Sequence, residues 1–214
     1  MKNKICIAIA TSLLAVTLGC GNPTTYPTTT YTTGINSASS QSTNGLSLSI
    51  TLDSAVYRAG QEIRITVDEK NTLSIANNIP TVDKWPLEAL SVNPCGTSGF
   101  PFGIAIFLGK YSSAEVSKAM RLLIFDPADP WPCPFQAFKI TSYNFKPSSN
   151  VATLFNASDA NPQTIEMNAT IKATYYWTGH SSNSVQHMFE PGVYTVVAGD
   201  EWGALVVLHF TVTQ

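Results

Sequence analysis

From Phe189 to Thr213 the chain reads FEPGVYTVVAGDEWGALVVLHFTVT, and in its second half apolar residues recur with a period of two. Ala204, Val206, Leu208, Phe210 and Val212 fall on one face of an extended chain, and Leu205, Val207, His209, Thr211 and Thr213 on the other. A second apolar run, Val193 to Ala198, precedes it, and the two are joined by Gly199-Asp200-Glu201-Trp202-Gly203. Two strand-like runs separated by a few residues that include glycine predict a β-hairpin. An isolated hairpin is marginal in water, so earlier segments must supply the strands that complete the sheet.

They do. Leu46, Leu48, Ile50 and Leu52 alternate with Ser47, Ser49 and Thr51, and Ile63, Ile65 and Val67 alternate with Arg64 and Thr66. Gln163 to Trp177 predicts the longest strand, with Ile165, Met167, Ala169, Ile171, Ala173, Tyr175 and Trp177 on one face. Glu166, Asn168, Thr170, Lys172 and Thr174 share the other face, which is expected to be wet. Asn168-Ala169-Thr170 on that face and Asn156-Ala157-Ser158 in a loop-like stretch are N-glycosylation sequons. Residues 77–147 hold most of the prolines and read as an insertion on a sandwich, with short strands at Gly103 to Leu108 and Leu122 to Phe125. Between those strands Ser112 and Glu115 form a capping-box pattern, and Val116, Ala119, Met120 and Leu123 follow at helical spacing. One short helix is predicted there, its apolar stripe serving as core.

The N-terminal end predicts export. Lys2 and Lys4 precede an apolar run from Ile5 to Leu18, shorter than the ~20 residues of a membrane span and suited to a signal-peptide core. Leu18-Gly19-Cys20-Gly21 resembles the lipobox of membrane lipoproteins, which implies lipidation at Cys20. Thr17 departs from that pattern, so a plain cleaved signal and an uncleaved anchor stand as alternatives. Residues 21–45 carry no charge and are dense in Thr, Ser and Pro, a composition that predicts a disordered stalk. The folded domain is then expected over 46–214. Cys95 and Cys133 are the cysteines left in it, and in an oxidising compartment they are expected to pair, two free buried thiols being the alternative.

Tyr57-Arg58-Ala59-Gly60-Gln61-Glu62-Ile63 followed by a strand resembles the first hairpin of bacterial immunoglobulin-like modules. Glu190-Pro191-Gly192-Val193-Tyr194-Thr195-Val196 resembles the corner before strand F of such domains, where a tyrosine hydroxyl ties back to upstream backbone. The resemblance implies that role for Tyr194, with Gly192 in the turn. Val196 stands where antibody domains carry their second core cysteine, so the likeness is to the disulfide-free modules of microbial surface proteins. It covers roughly 46–68 and 189–213 and implies an all-β, immunoglobulin-like β-sandwich.

Chemistry is sparse. Charged residues make up 12% of the chain, about half the usual ~25%. A net charge of -2 without any basic stripe gives no footprint for nucleic acid. His180, His187 and Met188 are a soft donor set that could hold copper, but the cupredoxin pattern needs a cysteine near them and none lies beyond Cys133. Asp126, Asp129, Asp200 and Glu201 read as turn-forming acids, without calcium-loop spacing. Trp131, Phe135, Phe138, Tyr143 and Phe145, with Trp202 at a loop tip, could form a recognition surface or roof a sheet. The leading expectation is a non-enzymatic interaction or structural module without a cofactor, extracellular and anchored to the outer face of the cell membrane through its N-terminus. A protein or glycan ligand at the surface is the partner class expected. A copper-binding or electron-transfer protein of cupredoxin-like type, and an extracellular hydrolase with unrecognised carboxylates, are the alternatives.

Overall fold

A computed structural model describes residues 36–42, 44–90, 100–126, 140–156 and 162–214. Those residues are all-β. The strands are β1 (Asn36–Gln41), β2 (Leu46–Leu52), β3 (Val56–Arg58), β4 (Ile63–Asn71), β5 (Asn77–Pro80), β6 (Phe102–Leu108), β7 (Arg121–Leu122) and β8 (Ile140–Phe145). After them come β9 (Val151–Asn156), β10 (Gln163–Glu166), β11 (Asn168–Ala173), β12 (Tyr175–Thr178), β13 (Val185–Met188), β14 (Gly192–Asp200) and β15 (Leu205–Thr213). Among the described residues, no helix is long and apolar enough to cross a membrane.

Two sheets form the sandwich. One runs β1-β2-β4-β11 and the other β3-β15-β14-β6-β7. The final hairpin is antiparallel, with Val196 opposite Leu208 and Gly199 opposite Leu205, and β3 joins it in parallel along β15. Leucine and isoleucine side chains of β2 and β4 meet Ile104, Ile106, Val196, Val206, Leu208 and Phe210 in one core. Phe210 anchors it, stacking on Tyr194 at 5.2 Å and meeting the edge of Tyr57 at 5.5 Å.

β6 and β14 are buried on both faces, which is why neither shows clean alternation of apolar and polar residues. Their outer face is covered by side chains from residues 85–90 and 111–119. Leu87, Leu90 and Val116 pack there on Ala105, Phe107 and Val197, beside Leu205 and Val207. His209 lies on this side, its Nε2 2.9 Å from the Tyr111 carbonyl oxygen.

A third sheet, β10-β9-β8-β5, shares the main core through Ile79, Tyr143, Phe145, Ala152 and Leu154. The described part of the middle, residues 77–90, 100–126 and 140–147, is woven into these sheets. It supplies β6, which pairs with β14 inside the five-stranded sheet, while the third sheet draws also on residues past 147.

Three other expectations differ from the structure. The predicted long strand is cut into β10, β11 and β12, each in a different sheet. At Met167 the N–H donates to the Asn150 carbonyl at 2.7 Å and the carbonyl accepts from the Glu69 N–H at 2.9 Å, so the chain changes sheet there without losing backbone bonds. The predicted helix is a single 3-10 turn, Val116–Lys118, and Ala119 is already extended at its C-cap. Glu115 does accept from both the N–H and the hydroxyl of Ser112, but the next residues are taken into the ladder between β7 and β6, and Met120 is exposed. Finally, the ordered chain reaches into the stretch expected as stalk. β1 pairs with β2 along its whole length, Ala38 packs on the core, and Asn36 Nδ2 donates to the His209 carbonyl at 2.9 Å.

Candidate functional site

The loop end of the β14–β15 hairpin ties several segments together. Asp200 closes it as an Asx turn, its Oδ1 accepting from the Trp202 N–H at 3.0 Å and the Ala204 N–H at 2.7 Å. The Glu201 N–H donates to the Pro101 carbonyl at 2.8 Å, and the Glu201 carbonyl accepts from the Lys84 N–H at 2.7 Å. Trp202 Nε1 donates to the Pro80 carbonyl at 2.8 Å, and its ring meets Tyr143 edge-on at 5.7 Å. Gly199 is required just before the loop. A β-carbon there would lie 2.6 Å from Leu90 and 2.7 Å from Pro86, so the strand passes closer to that segment than any side chain allows.

Into this junction the fold places carboxylates. Glu69 of β4 and Asp200 are wholly buried, and Glu201 is 8% exposed. Neither oxygen of Glu69 has a hydrogen-bond partner, nor does Asp200 Oδ2 or Glu201 Oε1. Asn71 and Thr195, equally buried, are satisfied: Asn71 Nδ2 donates to the Ile75 and Lys146 carbonyls, and Thr195 Oγ1 donates to the Gly109 carbonyl. Unpaired buried polar atoms are uncommon in folded proteins, and here they concentrate in one acidic cluster. Burial, then the negative charges of Asp200 and Asp68, hold the Glu69 carboxyl well above the usual carboxylate range. Burial also raises Asp200 against the pull of its backbone donors. Glu201 is pushed up to about 7, by burial first and then by Asp200 and Asp83.

Glu69 is the residue that sequence reasoning missed, although a signal existed. It has the parity of Ile63, Ile65 and Val67, so the alternation that made β4 a strand also turned a carboxylate inward.

The residues singled out in the sequence fall elsewhere. The Tyr194 hydroxyl donates to the Glu190 carbonyl at 2.8 Å, and Gly192 begins β14 beside Leu108. His187 Nε2 is 2.8 Å from Thr178 Oγ1, and its ring stacks on Tyr176 at 5.3 Å. Met188 follows it in β13 and so projects from the opposite face of the ribbon, while His180 is exposed near the turn between β12 and β13. The three do not converge, and no group of three metal-ligating His, Cys, Asp or Glu residues occurs among the described residues. Asn168 is exposed on β11, where its Nδ2 donates to Glu166 at 3.1 Å. Asn156 ends β9, but the rest of its sequon, like Cys20, Cys95, Cys133, Asp129, Trp131, Phe135 and Phe138, lies outside the described residues. Tyr143 and Phe145 are core residues.

Together these features define an all-β sandwich with a sealed acidic cluster at one hairpin end. No family model matches the chain, and no curated protein does. Among solved structures it is similar, at TM-scores of 0.32 and 0.30, to a β-glucosidase from Listeria innocua in complex with glucose and with isofagomine. Identity is 13% and 12%, and the matches cover 85% and 84% of this chain but 16% of the glucosidase. Likeness at that level assigns neither an activity nor a substrate.

Proposed function

We propose that the chain is an exported, surface-tethered interaction or structural module of the cell envelope, non-enzymatic, with an immunoglobulin-like folded part. The strand order supports the second half of this reading. β2-β4-β11 facing β6-β14-β15 is the arrangement A-B-E against C-F-G of immunoglobulin-like domains, with Tyr194 at the corner that opens strand F. The signal-like run at residues 5–18 and the uncharged Thr/Ser segment after it support the first half.

The observation that carries an interaction role is the β12–β13 ribbon. It forms a two-stranded sheet and exposes the cross-strand pair Tyr175 and Met188, at 41% and 53%, on one face, with Val185 exposed on the other. Solvent-facing apolar side chains grouped on one small element are a recognition feature. The acids that come together are, in contrast, shut inside the core, out of reach of a polymeric substrate.

Protease treatment of intact producing cells, combined with a photo-crosslinking residue at position 175 or 188, tests the proposal. Removal of the protein by external protease, with crosslinked adducts that vanish when the probe is moved to an inward position, is expected. Protection from protease, or glycoside turnover by the pure protein that Glu201→Gln abolishes, would overturn it.

A further inference from the structure

We propose that Glu69, Asp200 and Glu201 make the loop end of the β14–β15 hairpin a pH-sensitive clasp, held shut while their carboxyls carry protons and loosened as they ionise. The argument begins with geometry. Three acids from two elements are buried, Asp200 lying close enough to both Glu69 and Glu201 to act on their charges, and each has at least one oxygen that no donor reaches. The charged groups that act on Glu69 and Glu201 are Asp68, Asp83 and Asp200, all acids. A carboxylate buried without a partner or metal relieves its desolvation by taking up a proton.

The groups around the cluster reinforce this. Asp68 flanks Glu69 on β4, and Asp83 adds negative charge from the segment before the turn at 88–90. Glu88 on that turn is exposed, and β2 brings no titratable residue. Tyr143 on β8 sits beside Glu201, and burial together with the Glu201 charge raises its phenol, which therefore stays neutral. Lys84 approaches through its backbone N–H, and its side chain is exposed. Ionisation thus adds negative charge where its close neighbours are acids and apolar side chains.

The sign follows. Each carboxyl holds its proton more tightly when folded than when unfolded, so its contribution to stability is fully present below the unfolded value and is lost as pH rises through the folded one. For Glu201 that window runs from 4.5 to about 7. Asp200 loses part of its contribution above its ordinary value of 3.8, and the loss from Glu69 also starts at 4.5 but continues well above it. The loop is where the strain falls, because its bonds to Pro80, Lys84 and Pro101 hold the hairpin end against three other segments.

The test is a series of thermal melts of the wild-type protein from about pH 5 to about pH 8. Tm is expected to fall by roughly 5–10 °C across that range. Glu201→Gln and Glu69→Gln should each lessen the fall, and Glu69→Gln should raise Tm at the alkaline end. Carboxyl-carbon NMR titration of the wild-type protein keeps the proposal testable if either variant fails to fold, and at least one buried carboxyl should titrate near neutrality. A flat or rising Tm, a Glu201→Gln profile like the wild type, or no carboxyl titrating above about pH 6 would overturn it. So would restoration of the alkaline Tm by millimolar calcium, which would make the cluster a cation site instead.

Discussion

Glu69 on β4 and Asp200 at the end of β14 face each other electrostatically inside one core, both wholly out of water, and each has a carboxylate oxygen that no donor reaches. Such a pair has a cost that an apolar side chain of similar volume avoids. Glu69→Met is expected to stabilise the protein at about pH 8 by about 1–3 kcal/mol. Urea unfolding of both proteins reads this directly, and a lower midpoint for the variant would mean that Glu69 has a partner in solution.

Asn71, two residues along the same face of β4, is the opposite case. Its side chain donates to the Ile75 carbonyl at 2.8 Å and the Lys146 carbonyl at 3.1 Å, and accepts from the Leu73 N–H at 3.0 Å. Those bonds join the end of β4 to the turn between β8 and β9. Asn71→Ala leaves the Leu73 N–H and the Ile75 and Lys146 carbonyls without their partner, and should cost about 1–3 kcal/mol. The same melts measure it, and hydrogen exchange should quicken around residues 71–77 before the rest of the core opens.

Tyr194→Phe isolates the corner bond, because the ring keeps its stack on Phe210 while the hydroxyl donor to the Glu190 carbonyl goes. A loss of about 1 kcal/mol is expected from unfolding midpoints. Burial, assisted by Tyr176, pushes the Tyr194 hydroxyl up to about 12. Its ultraviolet titration should therefore lag behind that of the exposed tyrosines, and a tyrosinate signal near the usual value of ~10 from this residue would mean that the corner is open.

Legibility followed the physics of each segment. β2, the first part of β4 and β15 bury one face fully and the other only in part, so period-two alternation disclosed them, as it did the hairpin. β14 and β6 are covered on both sides, and the outer cover, built from Leu87, Leu90 and Val116, comes from irregular chain that no periodicity marks. The cut of the long strand at Met167 left its alternation intact, because only backbone bonds record the change of sheet. At the acidic junction, Asp200 and Glu201 looked like turn acids, and Asp200 is one. What turned them into a buried cluster is Glu69, more than a hundred residues away, which only the packing of β4 against β14 brings near.

β1 was hidden for a different reason. Its sequence, NSASSQ, buries little, and only Ala38 packs on the core, so composition reads it as tether. Its order comes from backbone pairing to β2, in register from Asn36 opposite Leu52 to Gln41 opposite Ser47, and from the Asn36 bond to the His209 carbonyl across to the other sheet. A protein beginning at Leu46 should thus be less stable than one beginning at Tyr31, by on the order of 2 kcal/mol. It should also aggregate faster, since removal of β1 bares the edge of β2, whose alternating LSLSITL pattern is well suited to pairing with another chain. Urea unfolding and light scattering of the two versions decide the matter. Equal midpoints and equal scattering would mean that residues 36–41 add nothing to the sheet, and that the domain begins where alternation of large apolar residues begins.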